Sequence, residues 1–327
     1  MAYNKTSLQF GNIADINNGH YLVMPEVDPI IKSVLNKEAS PFYKRVKRKP
    51  ESVETFRWVE ESAQSRTATM IDPRAITSTA NAGITRVEKL GKLKGMSNRI
   101  NYGLFDTELT KNGMFSYVLQ DDLQNMYTDM ILLENDQMFS GNDTSYSAST
   151  TVQYFGVLKA ITNTATIPVK ATGTPTIAQA IKTQIAVMDA RTDVNCTPTA
   201  IYMNPLTKDK MDIEENAGVD KLKQYTVECV PGTVVTGIMT VVGLLPIITD
   251  KRIPIDTSDV AVDKHPILIL DESKIVRHHL IGYESPVTFK MGEVQTLLTE
   301  YVAVQFANLI VEFPDRAHVI MTKSFTK

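Results

Sequence analysis

Cysteine, tryptophan and long apolar runs are all scarce in this chain, and each scarcity excludes something. Two cysteines in 327 residues, Cys196 and Cys229, cannot make a disulfide framework or a four-ligand zinc site by themselves. A reducing, cytoplasmic site of synthesis is the simplest reading. The longest apolar runs are short, and Ile238–Leu245 already contains Thr240 and Gly243. No stretch approaches the roughly 20 apolar residues of a membrane helix. The opening Met1-Ala2-Tyr3-Asn4-Lys5 has no hydrophobic stretch behind a basic start, so no secretory signal is expected. Charge of one sign is lacking too: 34 basic against 37 acidic residues leave a net −3, which excludes a polycationic nucleic-acid binder. What is present is ordinary globular composition, 43% hydrophobic and 22% charged, in a chain long enough for one large domain or two lobes.

Catalytic signatures are also missing. There is no GxGxxG or GxxxxGK[ST] loop to cradle phosphate, no HExxH and no GxSxG. Of five histidines, only His278 and His279 are adjacent, and strand neighbours point apart, so a surface strand pair is expected rather than a metal site. Asp121 and Asp122 would sit ~100° apart on a helix and read as a solvated face. Asn142-Asp143-Thr144 after Gly141 lacks the alternating ligands and closing Glu of a calcium loop. Cys196 has no nearby histidine to activate it and reads as a buried, inert thiol. The expectation is a protein that is not an enzyme, with no catalytic, cofactor-binding or metal residue to assign.

Residues 1–40 read as an extended arm with one short amphipathic helix at Pro29–Leu35. Residues 41–50 carry five basic residues in one run, Lys44, Arg45, Lys47, Arg48 and Lys49. Two readings stand: contact with nucleic acid or an acidic neighbouring subunit, or a solvated strand or loop. Residues 53–62 have the β-branched and aromatic content of a strand, and 84–102 read as extended. The Ser-, Thr- and Ala-rich stretch 63–83 between them makes 51–102 a two-stranded arm with a mobile tip. Such a hairpin has too little apolar face to stand alone and must lie on something else, a neighbouring subunit being the natural candidate.

Residues 113–140 give the strongest helical signal. Phe115, Leu119, Leu123, Met126, Met130 and Leu133 form one stripe, and Gly141-Asn142 supplies the stop. A second lobe follows: a helix from Thr174-Pro175-Thr176 with Ile177, Ile181, Ile185 and Met188 in line, a buried strand at 199–203, and a helix capped by Asn204-Pro205 and ended by Gly218. Strands are expected at Thr233–Val242, Leu245–Thr249 and Ile267–Leu270, which makes an α/β lobe. Near the end, Glu300–Phe306, Leu309–Phe313 and His318–Thr322 read as strands, with Asn308 and Pro314-Asp315 as turns.

The order of parts resembles the major capsid protein of tailed bacteriophages, the Hong Kong 97-type fold. The stretches that carry the resemblance are Ser40-Pro41-Phe42 with Phe56-Arg57-Trp58-Val59-Glu60, Tyr102–Leu109 leading into the helix, the helix end Leu132–Asn142, the strands of Thr240–Thr249, and Gly292–Ala317. No single motif is diagnostic; the ordered set carries the likeness. It implies an α+β fold with an N-terminal arm (1–50), an extended β-hairpin loop or E-loop (51–102), a peripheral domain (103–170) holding a spine helix (113–141), an axial α/β domain (171–285), and peripheral C-terminal strands (286–327).

The function implied is a virion shell: hexamers and pentamers of one chain tiling an icosahedral head around double-stranded DNA, assembled in the host cytoplasm. Implied partners are other copies of the chain, a separate scaffolding protein, a portal protein, decoration proteins, and DNA held without sequence preference at the inner surface; no membrane and no cofactor are implied. A neutral-to-acidic chain suits such a shell, because each phosphate neutralised adds affinity that would stall packaging. Lys44, Arg45, Lys47, Arg48, Lys49 and Trp58 are the residues expected at inter-subunit or DNA contacts. Trp58 packs either on a neighbour or within its own hairpin. Lys89, Lys92 and Lys94 lie in the loop, where some relatives form a Lys–Asn isopeptide crosslink, but no partner Asn is identifiable and none is expected. The capsid-like part begins near Met1, leaving no room for a cleaved scaffolding segment. Two other readings remain: an encapsulin-like cellular nanocompartment shell, and, from a different class, a soluble α/β ligand-binding protein or enzyme.

Overall fold

A computed structural model describes residues 40–64, 84–103, 115–148, 152–169, 175–191, 196–216, 224–230, 233–291 and 298–327. The expected helix at 29–35, the hairpin tip at 65–83, the lead-in at 104–114 and the stop at Gly218 lie outside these residues, as do the side chains of Phe115 and Leu119. The chain divides into two compact units. One holds residues 95–133 and 282–306; the other holds 40–94, 134–281 and 307–327.

The larger unit is built around a seven-stranded mixed sheet. Its strands are β5 (Thr164–Ile167), β6 (Ala200–Met203), β7 (Gln224–Val230), β8 (Thr233–Thr240), β9 (Gly243–Thr249), β10 (Val262–Leu270) and β14 (Val319–Thr326), in spatial order β5-β14-β10-β6-β9-β8-β7. The turn Val241-Val242 between β8 and β9 closes on Gly243, whose φ of 121° is one that residues with a side chain rarely adopt. Two helices pack on this sheet. The first, Ile177–Asp189, begins with a complete capping box: Thr176 accepts from the Gln179 amide, and the Gln179 side chain accepts from the Thr176 amide. Its predicted stripe, Ile177, Ile181, Ile185 and Met188, is wholly buried against Ile201, Met203, Ile267 and Ile269. The second, Pro205–Asn216, starts where Asn204 accepts the Leu206 amide.

Other parts of the same unit depart from the sequence expectations. The basic run is part helix and part solvent-exposed strand. Pro41–Arg45 is a short helix capped by Ser40, and β1 (Lys47–Glu51) pairs in parallel with β11 (Ile275–Leu280), Lys49 opposite His278. The two-stranded arm is β2 (Thr55–Gln64) against β3 (Ile84–Lys92), and it ends at Lys92. Leu93 breaks the extended stretch, and β4 (Lys94–Gly103) leaves the hairpin to pair with β13 (Leu298–Val311). Asn308 is not a turn. It lies within β13, its backbone opposite His278, and its buried side chain donates to the carbonyls of Lys92 and Tyr146. An Asn can stay in a strand when its amide satisfies backbone that would otherwise be orphaned. His278 and His279 do point to opposite sides of β11, but both are buried rather than on the surface.

The smaller unit contains the first part of the long helix Phe115–Ser140, together with β4, β12 (Val287–Met291) and the first nine residues of β13. Here Met126 and Met130 pack on Ala303 with Met96, Ile100 and Leu123 around them. Asp122 accepts a hydrogen bond from the Tyr102 hydroxyl, and Asp121 from Asn125, so the acidic pair is half-buried and engaged rather than simply solvated. The expected stripe fails at its last member: Leu133 is 47% exposed. In the larger unit the helix buries Glu134, Asn135, Met138 and Phe139 instead. Glu134 can be buried because Arg277, itself wholly buried, meets it in a two-pronged ion pair at 2.6 and 3.0 Å, with the Tyr154 hydroxyl donating to the same carboxylate.

Candidate assembly surface

The basic run and the root of the hairpin lie together in the larger unit, and their side chains have different uses. Arg45 is engaged within the chain. Its guanidinium clamps Glu272 through two bonds of 2.6 Å, and the Tyr202 hydroxyl donates to the same carboxylate. That hydrogen bond outweighs burial and holds Arg45 more firmly protonated than usual. Phe42 anchors the segment from below, its ring 4.8 Å from Phe139 and 5.3 Å from Tyr202. Arg48 lies over the Tyr43 ring at 5.1 Å, and Lys49 reaches Glu51 at 3.2 Å. Lys44, Lys47, Arg48 and Lys49 are all exposed. Charge and Pro50 on β1 suit a strand at the edge of its sheet.

The hairpin root is held by aromatic stacking. The Phe56 ring lies 4.2 Å from the His278 imidazole, nearly parallel, and Glu51 accepts from His278 at 2.8 Å. Burial keeps this imidazole below the ordinary histidine range despite the neighbouring carboxylate. Gly91 lies against the far edge of Phe56; a Cβ there would come within 2.5 Å of the ring. Trp58 stacks on Phe56 at 6.1 Å, meets Tyr146 edge-on at 5.7 Å, and donates from Nε1 to Glu60 at 2.8 Å. Its own chain therefore covers part of Trp58. The three loop lysines each meet a carboxylate: Lys89 meets Glu60, Lys92 meets Glu54, and buried Lys94 meets buried Asp143. No group of three metal-binding side chains occurs among the described residues.

The β2–β3 pairing sorts the hairpin into two faces. Phe56, Trp58 and Glu60 share one with Gly91, Lys89 and Val87; Arg57, Val59 and Glu61 share the other with Leu90, Glu88 and Arg86. The first face is rooted in the unit through Phe56. The second presents Val59 at 59% and Leu90 at 42% exposure, framed by the ion pairs Arg57–Glu88 and Arg86–Glu61, both 3.0 Å. Exposed pairs of this kind add little stability but can fix register against a partner. The extended character of both strands was readable in the sequence; which side chains share this face was decided by the register. The division of the basic run was not readable, because nothing near Arg45 in sequence announces Glu272. Cys196 is half-buried, and burial pushes its thiol pKa upward.

No protein-family model matches the chain, and no curated protein matches it in sequence. Solved structures do match, over nearly its whole length. The capsid of an empty GTA particle aligns with TM-score 0.58 at 12% identity, covering 97% of this chain and all of that one. The capsid asymmetric unit of cyanophage A-1(L) aligns with TM-score 0.59 at 10% identity, covering 90% and 95%. The SrpI encapsulin of Synechococcus elongatus PCC 7942 aligns with TM-score 0.56 at 13% identity, covering 95% of both chains. At these identities the likeness is one of fold: the chain has the mixed α+β fold shared by tailed-phage major capsid proteins and encapsulins. No helix among the described residues is long and apolar enough to cross a membrane.

Proposed function

We propose that this chain is a major capsid protein that assembles, as hexamers and pentamers, into an icosahedral bacteriophage head around double-stranded DNA. One observation carries the reading: at least nine-tenths of the chain shares its fold with capsid subunits. The exposed second face of the hairpin supports it, since a two-stranded arm of this size is stable only when covered. In this reading residues 1–50 act as the N-terminal arm, and the hairpin from residue 51, whose strand pairing ends at Lys92, acts as the E-loop. The spine helix belongs to the peripheral domain with the strands of 286–311, and 171–285 is the axial domain, whose sheet also takes in β5 and β14. Lys44, Lys47, Arg48, Lys49 and Trp58 lie at contacts with neighbouring copies or DNA, whereas Arg45 has a structural task at Glu272. The protein works as a shell component in the virion rather than as an enzyme. Its further partners are a scaffolding protein, a portal protein, decoration proteins and packaged DNA.

An encapsulin-like compartment is the second reading, favoured by the SrpI match. Negative-stain electron microscopy with light scattering on the purified chain, alone and co-expressed with a scaffolding protein, tests both. Shells, tubes or ring-shaped capsomers are expected, with Trp58 emission shifted to shorter wavelength in particles relative to free subunits. A chain that stays monomeric under every condition rejects both readings. Identical Trp58 spectra in subunits and shells reject its place at an interface. Shells that fill with a co-expressed cargo enzyme and not with DNA select the second reading.

A further inference from the structure

The larger unit carries a groove and, on a separate turn, a feature of complementary chemistry. The groove, about 420 Å3, lies between the helix Pro205–Asn216 and the end of β14. Its walls are apolar: Val169, Ile213 and the Phe325 ring, with Ile213 61% exposed. Two lysines line it and differ in use. Lys323 is buried and committed to the Pro168 carbonyl and to Glu214. Lys210 lies 4.4 Å above the Phe325 ring and has no carboxylate partner among the described residues. The groove therefore offers one uncompensated cation beside an uncovered apolar wall.

The turn between β9 and β10 offers the converse. Val260 is 91% exposed, the most exposed large apolar side chain among the described residues. Beside it, the Asp259 carboxylate accepts the Ala261 amide at 3.0 Å and meets no cation among the described residues. The turn is held in shape by Lys327, whose amino group donates to the carbonyls of Thr257 and Asp259 at 2.9 and 2.6 Å. A fixed turn loses little entropy on docking. Val260 does not line its own chain's groove, and a second copy brings the charge and the apolar side chain that complement it. We infer that Val260 and Asp259 of one copy dock into the groove of a neighbouring copy, with the Asp259 carboxylate meeting Lys210. Each copy carries both halves, so the contact can repeat around a closed ring. This rests on the shell reading above.

Assembly is read by light scattering and electron microscopy for Lys210→Glu, Asp259→Lys and the double variant, with circular dichroism confirming that each folds. A like-charge contact in an interface costs enough that each single variant should need about tenfold more protein to assemble, and the double variant should recover most of that loss. A second test needs no change of charge. In a chain whose Cys196 and Cys229 are both serine, Val260→Cys with Ile213→Cys should give a ladder of disulfide-linked oligomers under oxidation, and neither single cysteine should. Wild-type particles alongside unaffected charge variants and no ladder overturn the docking alone. A wild-type chain that forms no particle with or without scaffolding overturns the shell reading, and the docking with it.

Discussion

His318 shows how one buried side chain ties the fold to pH. It sits just before β14, wholly buried, with the Asp271 amide donating to Nδ1 at 3.3 Å and Nε2 donating to the Glu312 carbonyl at 3.1 Å. That pairing needs the neutral ring; a proton on Nδ1 would confront an amide that already donates there. Burial lowers its pKa to about 4, despite the Glu312 carbonyl and Asp271. The unfolded chain protonates near 6.5, so between these values the unfolded state binds more protons. The stabilisation is complete above about pH 6.5 and is lost as pH falls toward 4, by roughly 3 kcal/mol for this group. Urea unfolding at pH 7.5 and pH 4.5 should show the loss, and His318→Gln should flatten that slope. An unchanged slope would mean that His318 is accessible to protons in the folded chain. Arg277 and Glu134 make the opposite case, since burial alone would lower the arginine's pKa and the Glu134 carboxylate outweighs it. Removing either partner would strand a buried charge.

Among elements, the β2–β3 hairpin depends most on a single position. Gly91 is there because the Phe56 ring occupies the space a Cβ would take. Gly91→Ala must push the ring off His278 and is expected to cost about 1–3 kcal/mol, as overpacked sites do. Thermal unfolding with near-ultraviolet circular dichroism should register both the loss and the displaced aromatic stack; an unaltered spectrum would show that the ring can move freely. The β-branched and aromatic content of 53–62 made the first strand legible, but the end of the arm was not. Lys92 and Lys94 look alike in sequence, yet Lys94 turns inward to Asp143 and the Gln153 carbonyl while Lys92 stays with the hairpin. The long helix repeats the lesson. Its spacing located it, but Leu133 faces outward and Glu134 inward, because Arg277 comes from a strand 143 residues away.

For the whole molecule, the near balance of 34 basic and 37 acidic residues matters less than where the basic residues lie. Lys44, Lys47 and Lys49 are exposed, and the first two have no ion pair among the described residues. Reversing these three charges to Glu together should change the unfolding free energy by no more than about 0.5 kcal/mol per position, as surface changes usually do. It should lower particle yield in the assembly assay and weaken its dependence on salt. Unchanged yield would remove the basic run from the assembly surface. Arg45→Ala should behave differently and destabilise the subunit itself, since it leaves Glu272 without its clamp.

The sequence by itself determined the order of parts: an extended hairpin, a long helix and an α/β lobe, with no disulfide framework. Those features follow from local periodicity and from residue types whose preferences act over a few positions. The stripe Ile177, Ile181, Ile185 and Met188 is buried as its spacing requires. Only the tertiary structure decided which charges are spent inside the subunit and which remain for partners. Arg45 and Glu272, Glu134 and Arg277, and Lys94 and Asp143 are separated by 227, 143 and 49 residues. No local preference marks such pairs; burial in a low-dielectric interior selects them once the chain has brought them together.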